Sequence, residues 1–210
     1  MTELGQFITL EGGEGTGKST LIEGLQAALT KRSIEVVVSR EPGGTVLAEA
    51  VRALALNPPE GTSWSPLAHA LLMNAAREDH LKELIRPALA RGAWVICDRF
   101  ADSTRAYQGI DGVAPQQLWE IESIVVGATV PDLTLILDAA PEALAERRRQ
   151  RDVSDVFEAK GLAFHEQVRS AFLKIAEQEP DRCVVVDALQ TPEDVLSTAM
   201  SAIEARLGLA

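Results

Sequence analysis

Five short runs of apolar, mostly β-branched residues limit the fold of this chain more than any other feature. They are FITLEG (7–12), EVVVSR (35–40), WVICDR (94–99), LTLILD (133–138) and CVVVDA (183–188). Each run is apolar almost throughout, which is typical of strands buried on both faces of a parallel sheet. Because parallel strands need long crossover connections, usually helices, the runs predict a five-stranded parallel sheet flanked by helices.

The segments between these runs carry apolar residues at helical spacing. Residues 19–32 have such a stripe, and so do residues 67–91, where Pro87 predicts a kink or a break between two helices. No linker, repeat or low-complexity segment interrupts the alternation of strands and helices. We therefore predict a single doubly wound α/β domain over 1–210. Further helices are predicted at 115–127, 141–151, 158–178 and 192–207.

Charge and cysteine usage narrow the class of protein. The net charge of −11 argues against nonspecific binding to nucleic acid or to an anionic membrane. No apolar run reaches the roughly 18 residues of a membrane span, and the acidic start MTELGQF lacks the features of a signal peptide. Cys97 and Cys183 lie inside strand-like runs, without metal-binding spacing. We therefore expect a cytoplasmic protein with two buried, reduced thiols.

A glycine-rich segment links the first predicted strand to the first predicted helix. Gly12, Gly17, Lys18 and Ser19 match the pattern G-x-x-x-x-G-K-[ST]. In such a loop the backbone N–H groups and the helix N-terminus hold phosphates, while the lysine reaches the β- and γ-phosphates and the serine binds Mg²⁺. The motif predicts a P-loop NTPase fold. The predicted ATP-binding residues are Gly12, Gly13, Glu14, Gly15, Thr16, Gly17, Lys18, Ser19 and Thr20.

Several other chemistries lack their motifs. The chain has neither D-x-x-G nor N-K-x-D, which disfavours a GTPase, and no apolar run ends in the Asp-Glu pair of ATP-driven motors. His69, His80 and His165 form no metal or triad pattern, so we expect them on the surface or in helix packing. Two classes remain open. One is a small-molecule kinase that brings ATP to a second bound anion, and the other is a regulatory nucleotide binder.

Arginines are available for a second anion site near the ends of other predicted strands. Ligands bind beyond the carboxyl ends of strands in such sheets, where REPGG (40–44) and DRFADS (98–103) begin. An acceptor that carries a phosphate needs arginines to bind it. Arg99 would serve there or in a structural ion pair, and Asp98 would hold Mg²⁺ through water or orient Arg99. The other candidates are Arg52, Arg77 and a cluster of Arg147, Arg148, Arg149 and Arg151, which forms either a lid over ATP or a solvated helix face.

Five segments together resemble a bacterial thymidylate kinase. They are FITLEGGEGTGKST at the phosphate loop, REPGGT, AAR (75–77), DRFADSTRAYQG (98–109) and FHEQVRSAF (164–172). They cover nearly the whole chain in the order of that family. The resemblance implies transfer of the γ-phosphoryl group of ATP to thymidine 5′-monophosphate (dTMP), giving dTDP and ADP with the help of Mg²⁺. It also implies a homodimer and a lid segment around 141–160.

The resemblance assigns residues to the dTMP phosphate and base. Arg52 and Arg99 would hold the phosphate of the acceptor, and Arg77 would donate a hydrogen bond to O4 of thymine. Thr104 and Gln108 would line the base pocket, with a helix-surface amide as the alternative for Gln108.

The resemblance also assigns the sugar contacts. Tyr107 would border the deoxyribose, or else serve as a packing aromatic. In this family an acidic residue at the position of Glu14 accepts a hydrogen bond from the sugar 3′-hydroxyl; the alternative is a solvent-facing glutamate. Pro42 in REPGG would shape the floor of the acceptor site, through either a cis bond or an ordinary turn.

Two positions depart from the family pattern. Met73 stands where the family usually has a phenylalanine that stacks on thymine, one helical turn before Arg77, so stacking is expected to be weaker. Val156 stands where the family usually has a lid arginine, and Gly15 stands where other members carry an arginine in the phosphate loop. The predicted substitutes for the missing charge are the lid residues Arg147, Arg149 and Arg151.

Overall fold

The structure, a computed structural model, describes residues 4–144 and 161–209. Its strands coincide with the five apolar runs, which confirms those five predictions. In chain order the elements are β1 (Phe7–Gly12), α1 (Lys18–Lys31), β2 (Val36–Arg40), α2 (Val46–Leu56), α3 (Pro66–His80), a π-helical turn (Leu81–Ile85), α4 (Arg86–Ala90), β3 (Trp94–Asp98), α5 (Ala101–Ile110), α6 (Pro115–Val126), β4 (Leu133–Asp138), α7 (Leu162–Gln178), β5 (Cys183–Asp187) and α8 (Pro192–Leu207).

The five strands form one parallel sheet in the order β2-β3-β1-β4-β5, as the α/β prediction requires. Strand β1 lies in the middle, where Ile8 pairs with Ile96 of β3 on one side and with Leu133 of β4 on the other. From β1 the chain crosses to the edge strand β2, returns to β3 beside β1, and then crosses to β4 and β5 on the other side. The phosphate loop after β1 therefore lies at the point where the strand order reverses, which is where such sheets bind ligands.

Helices cover both faces of the sheet. On one face α1 and α8 pack on β1, β3 and β4 through residues such as Leu25, Ile203 and Leu135. On the other face Phe7 and Val95 pack against the π-helical turn and the start of α5. All six residues of β1 are buried, which explains why its sequence does not alternate between apolar and polar residues. Within the two described ranges, no helix is long and apolar enough to cross a membrane.

The long predicted helix at 67–91 is continuous from Pro66 to Ala90. In place of the expected kink or break at Pro87, it has a π-helical turn before the proline. The backbone changes from α3 to the π-helical turn and then to α4. Pro87 lies in the first turn of α4, directly after the wider turn. Since proline lacks an N–H and crowds the preceding turn, the widened segment accommodates it without a break.

Two helices that carry site residues were not predicted. Helix α2 begins after Thr45, whose side chain accepts a hydrogen bond from the backbone N–H of Ala48, a capping signal present in the sequence. Helix α5 has no capping side chain at Phe100. The predicted helix at 141–151 is described only to residue 144, where it is helical, and the remainder lies outside the described residues.

Candidate active site

The phosphate loop joins β1 to α1, as predicted. Gly12 has φ 130°, and a Cβ on it would lie 2.4 Å from the carbonyl oxygen of Leu137, so only glycine fits there. Lys18 is the first residue of α1 and is buried. Its Nζ lies 3.3 Å from the carbonyl oxygen of Gly12 and 3.2 Å from that of Gly13. The ammonium group therefore lies folded over the loop that would surround a phosphate.

Arg99 connects the end of β3 to this loop. Its φ of 68° is in the left-handed region, which is unusual for a residue with a side chain. Nη2 donates to Oε1 of Glu14 at 2.5 Å, and Nη1 donates to Oγ of Ser103 at 3.0 Å. The guanidinium carbon lies 5.2 Å from the ring centre of Tyr107, whose hydroxyl donates to the same Glu14 oxygen at 3.3 Å. Glu14 therefore points towards Arg99 and Tyr107.

These contacts shift the pKa values of the group. Burial alone would raise the pKa of Glu14, but the charges of Arg99 and Lys18 and the hydrogen bond from Tyr107 outweigh it and lower the pKa to about 2. Burial would lower the pKa of Arg99, yet the charge of Glu14 raises it. Burial and then the charge of Arg99 lower the pKa of Lys18. Glu14 and Arg99 are therefore an ion pair at neutral pH.

A second buried carboxylate, which sequence reasoning missed, holds the segment of chain that follows Arg99. Glu11 in β1 accepts hydrogen bonds from the backbone N–H groups of Phe100 (2.8 Å) and Ser103 (3.2 Å) and from the Ser103 hydroxyl (2.6 Å). Glu11 thus caps α5 from another strand. Burial, and then repulsion from Asp102, raise the pKa of Glu11 to about 7. Its signal in the sequence is a carboxylate inside an otherwise apolar strand.

Arg77 is buried deeper, on α3. Nε donates to Oε2 of Glu41 at 2.7 Å, and Nη1 donates to Oδ1 of Asn74 at 2.9 Å. Nη2 donates to the Phe100 carbonyl at 3.1 Å and to the Thr104 hydroxyl at 3.0 Å. These bonds account for four of the five N–H groups of a guanidinium. The remaining one, on Nη1, has no acceptor among residues 4–144 and 161–209 and is a donor for a ligand.

One pocket beside the phosphate loop contains all eight residues predicted for dTMP. It encloses about 550 Å³ including its open mouth. Glu41, Pro42, Leu56, Phe100 and Ser103 also line it, and of these five sequence reasoning had placed only Pro42 in the site. The eight predicted residues are Glu14, Arg52, Met73, Arg77, Arg99, Thr104, Tyr107 and Gln108.

Pro42 and Arg52 form one side of this pocket. The Glu41–Pro42 peptide bond is cis, the first of the two alternatives left open by the sequence. Arg52 of α2 donates from Nη1 to the Pro42 carbonyl at 2.8 Å. At the far side, Nε2 of Gln108 is buried with no hydrogen-bond partner among the described residues. The Gln108 amide is therefore a second donor for a ligand.

The predicted magnesium residues border a neighbouring surface pocket. Ser19 and Asp98 both line it. Oδ1 of Asp98 is buried and makes no hydrogen bond to any described residue. A hydroxyl and a carboxylate oxygen are donors that Mg²⁺ accepts, with phosphate and water completing its six ligands. The two residues therefore fit a magnesium ion.

The lid predictions cannot be placed, because Arg147, Arg149, Arg151 and Val156 lie outside the described residues. A further small pocket lies between the phosphate loop and α7 and includes Asp138 and Arg169. Arg169 makes two hydrogen bonds to Asp138, at 2.7 and 2.9 Å. Sequence reasoning missed this pair, since its members are 31 residues apart and match no motif.

The sheet order, the phosphate loop and the adjoining anion pocket define a P-loop protein of the nucleoside monophosphate kinase class. Residues 10–199 match the family model described as thymidylate kinase. The chain therefore belongs to the thymidylate kinase family, and it is a kinase. Members of this family phosphorylate dTMP to dTDP with ATP.

Relatives support this assignment over nearly the whole chain. A thymidylate kinase of Caulobacter vibrioides is 52% identical over 206 residues, which cover 98% of this chain and 99% of the relative. One of Rhodopseudomonas palustris is 47% identical over 207 residues, covering 97% and 90%. The crystal structure of thymidylate kinase from Ehrlichia chaffeensis superposes with a TM-score of 0.77 at 31% identity, covering 95% of this chain and 98% of that one.

Proposed function

We propose that the whole chain works as one kinase domain, in which the phosphate loop holds ATP and the adjoining pocket holds dTMP for direct transfer between them. The observation that carries this proposal is the position of Glu14. It belongs to the phosphate loop, yet its carboxylate lies in the second pocket, bonded to Arg99 and Tyr107. The loop thus contributes to both substrates, which brings them within reach of one another.

On the ATP side, Gly12 to Thr20 surround the phosphates. Lys18 exchanges its contacts with the Gly12 and Gly13 carbonyls for the β- and γ-phosphates, since these bonds of 3.3 and 3.2 Å are long. Ser19 and Asp98 hold the magnesium ion. When bound, this ion neutralises the charge that builds up on the transferring group.

On the dTMP side, the phosphate binds Arg52 and Arg99, and the sugar 3′-hydroxyl donates to Glu14 beside Tyr107. Arg99 and Tyr107 both contact Glu14 of the phosphate loop, and Arg52 lines the same pocket. Holding the acceptor phosphate opposite ATP makes the transfer effectively unimolecular, which is the main contribution of such sites.

The base binds deeper in the pocket. Arg77 and Gln108 both present donors that are not used within the described residues, and thymine presents carbonyl oxygens. Met73 packs on the ring, and Thr104 fixes Arg77 through its hydroxyl. Cytosine carries an amino group where thymine has O4, so a donor at that point disfavours cytosine.

The transfer itself needs a positive charge near the γ-phosphate. We propose that Arg147, Arg149 or Arg151 of a lid around 141–160 supplies it, because Gly15 and Val156 leave both usual arginine positions empty. An arginine at the transferring group contributes roughly 10³-fold or more. Single alanine replacements test this: at least one should lower kcat by more than about tenfold.

The chain is further proposed to act in the cytoplasm as a homodimer. Helices α2, α3 and α6 pack side by side, and each leaves large apolar side chains exposed, which is unusual for a monomer. Light scattering after gel filtration should give twice the mass of 22.6 kDa, and Ile124→Glu should shift it towards the monomer. The exposed residues are Val46, Leu47, Leu54, Leu67, Leu71, Trp119 and Ile124.

A coupled assay of ADP release tests the substrate. The acceptors are dTMP, dUMP and the monophosphates of cytidine, guanosine and adenosine. We expect the highest kcat/KM with dTMP. A higher value with another monophosphate would contradict the base assignment, and ATP binding without turnover of any acceptor would contradict the catalytic one.

A further inference from the structure

A buried row of polar side chains leads from Glu41, which lines the pocket beside Arg77, to His80 and Ser39, which do not line it. Oε2 of Glu41 accepts from Arg77 Nε at 2.7 Å, and Oε1 of Glu41 lies 3.0 Å from Nδ1 of His80. Nε2 of His80 lies 2.6 Å from the hydroxyl of Ser39 at the end of β2. His80 is fully buried, and the side chains of Glu41 and Arg77 are each 3% exposed. We call Ser39, His80 and Glu41 the buried relay.

Glu41 sets the orientation of the Arg77 guanidinium. The other partners of Arg77 are neutral oxygens of Asn74, Phe100 and Thr104, so Glu41 is its one charged hydrogen-bond partner among the described residues. Charge-assisted hydrogen bonds are about twice as strong as neutral ones. Because the guanidinium is planar, a bond at Nε together with those at Nη2 fixes its plane and the direction of the remaining Nη1 hydrogen.

His80 fixes Glu41 in turn. A carboxylate that faces an arginine accepts hydrogen bonds and does not donate them, so the hydrogen lies on Nδ1 of His80. Nε2 then pairs with the Ser39 hydroxyl, which can donate or accept a hydrogen bond. The row is therefore hydrogen-bonded at each step from Ser39 to Arg77.

The backbone at Gly44 closes the outer end of the relay. A Cβ on Gly44 would lie 2.4 Å from Oγ of Ser39 and 2.6 Å from Nε2 of His80. Such distances leave no room for a side chain. With φ 88° the residue also has a conformation that favours glycine.

We propose that Glu41 and His80 are positioning residues for base selection: through the relay they hold Arg77 so that its remaining N–H meets a carbonyl at position 4 of a pyrimidine. This inference rests on the proposed binding of dTMP in the pocket. It gives a function to a buried histidine for which the sequence predicted only surface or packing roles.

Glu41→Gln is the first test, because it keeps the shape of the side chain and removes its charge. The KM for dTMP should rise about tenfold, while the KM for ATP changes less than twofold. The ratio of kcat/KM for dTMP over dCMP should fall about fivefold, since a loosened Arg77 rejects the amino group less well. Asp102→Asn is the matched control. It also neutralises a buried carboxylate paired with an arginine, Arg182, but it does not line the pocket.

Two variants of His80 extend the test to a residue that does not contact the ligand. In His80→Asn the amide NH₂ replaces the Nδ1–H donor to Glu41, and in His80→Leu no donor remains. We expect the leucine variant to raise the KM for dTMP about as much as Glu41→Gln does, and the asparagine variant to restore it to within about threefold of the original chain. If Glu41→Gln fails to fold, as monitored by thermal unfolding, the His80 pair decides the question.

Three results would overturn the inference. One is an equal rise in both KM values for Glu41→Gln, the second is the same rise for Asp102→Asn, and the third is equal behaviour of the two His80 variants. A wrong assignment of dTMP gives a different result from a wrong role of the relay, because the original chain itself would then show no preference for dTMP. If it prefers dTMP and the variants match it, only the role of the relay is wrong.

Discussion

Replacing Glu14 by glutamine should raise the KM for dTMP and leave the KM for ATP without a rise. The change keeps the shape of the side chain and removes its charge. It therefore alters one ion pair to Arg99, of 2.5 Å, and one hydrogen bond from Tyr107, of 3.3 Å, without opening a cavity. The side chain of Glu14 is 17% exposed, so solvent screens this pair only in part.

The effect on stability follows from the pKa of Glu14. Its fall from 4.5 to about 2 corresponds to about 3 kcal/mol at neutral pH. Because the folded-state pKa is depressed, this contribution is present above pH 4.5 and is lost as the pH falls towards 2. In the absence of ligands, Glu14→Gln should lower the free energy of unfolding at pH 7 by up to about 3 kcal/mol. The difference from the original chain should narrow below pH 4.5.

The effect on catalysis depends on the sugar. A charged acceptor makes a stronger hydrogen bond than an amide by about 1.4 kcal/mol, so the KM for dTMP should rise roughly tenfold. The KM for ATP should not rise, because removal of a negative charge near Lys18 does not weaken the binding of an anion. The control is the 3′-deoxy analogue of dTMP, which lacks the hydroxyl that would donate a hydrogen bond to Glu14. Its KM should be nearly the same for the original chain and for Glu14→Gln.

The assays are urea unfolding at several pH values and steady-state kinetics with both nucleotides. Equal losses for dTMP and for its 3′-deoxy analogue would show that Glu14 does not contact the 3′-hydroxyl. Equal unfolding free energies of the two chains at pH 7 would show that the pair with Arg99 is not stabilising.

Three further predictions follow from other residues of the site. Lys18→Ala should abolish turnover and leave dTMP binding, measured by calorimetry, within about threefold, because among the described residues Lys18 donates hydrogen bonds only to the phosphate loop; full activity would rule out the loop assignment. Glu11→Gln should flatten the pH dependence of the free energy of unfolding. Because the pKa of Glu11 is raised to about 7, its contribution to stability is fully present below pH 4.5 and is lost as the pH rises to 7. An unchanged slope of the unfolding free energy between pH 5 and 7 would contradict this. Met73→Phe should increase kcat/KM for dTMP roughly two- to tenfold by stacking on the base, and a fall in kcat/KM would contradict the placement of residue 73 against the ring.

The sequence was sufficient for the sheet and for naming residues that line one pocket beside the phosphate loop. The five strands could be predicted because both of their faces are buried, which leaves runs that are apolar at every position. The pocket residues could be predicted from the phosphate-loop pattern together with the resemblance to a known family. Their convergence follows from parallel strands whose carboxyl ends meet at one edge.

What could not be predicted depends on contacts between distant parts of the chain. Helix α5 lacks a cap of its own and receives one from Glu11, 89 residues earlier. The bonds from Glu41 to Arg77 and to His80 span 36 and 39 residues. No local pattern contains such information, because each bond exists only once the sheet has brought its ends together.

The ion pair between Glu14 and Arg99 also bears on the affinity of the pocket for inorganic phosphate. A phosphate that binds Arg99 in place of Glu14 would leave the Glu14 carboxylate without its ion-pair partner in a site that is largely shielded from water. A nucleotide that brings both a phosphate and a sugar hydroxyl replaces the two partners at once. A ligand that supplies only a phosphate or only a sugar hydroxyl should therefore bind weakly, because it satisfies only one member of the ion pair.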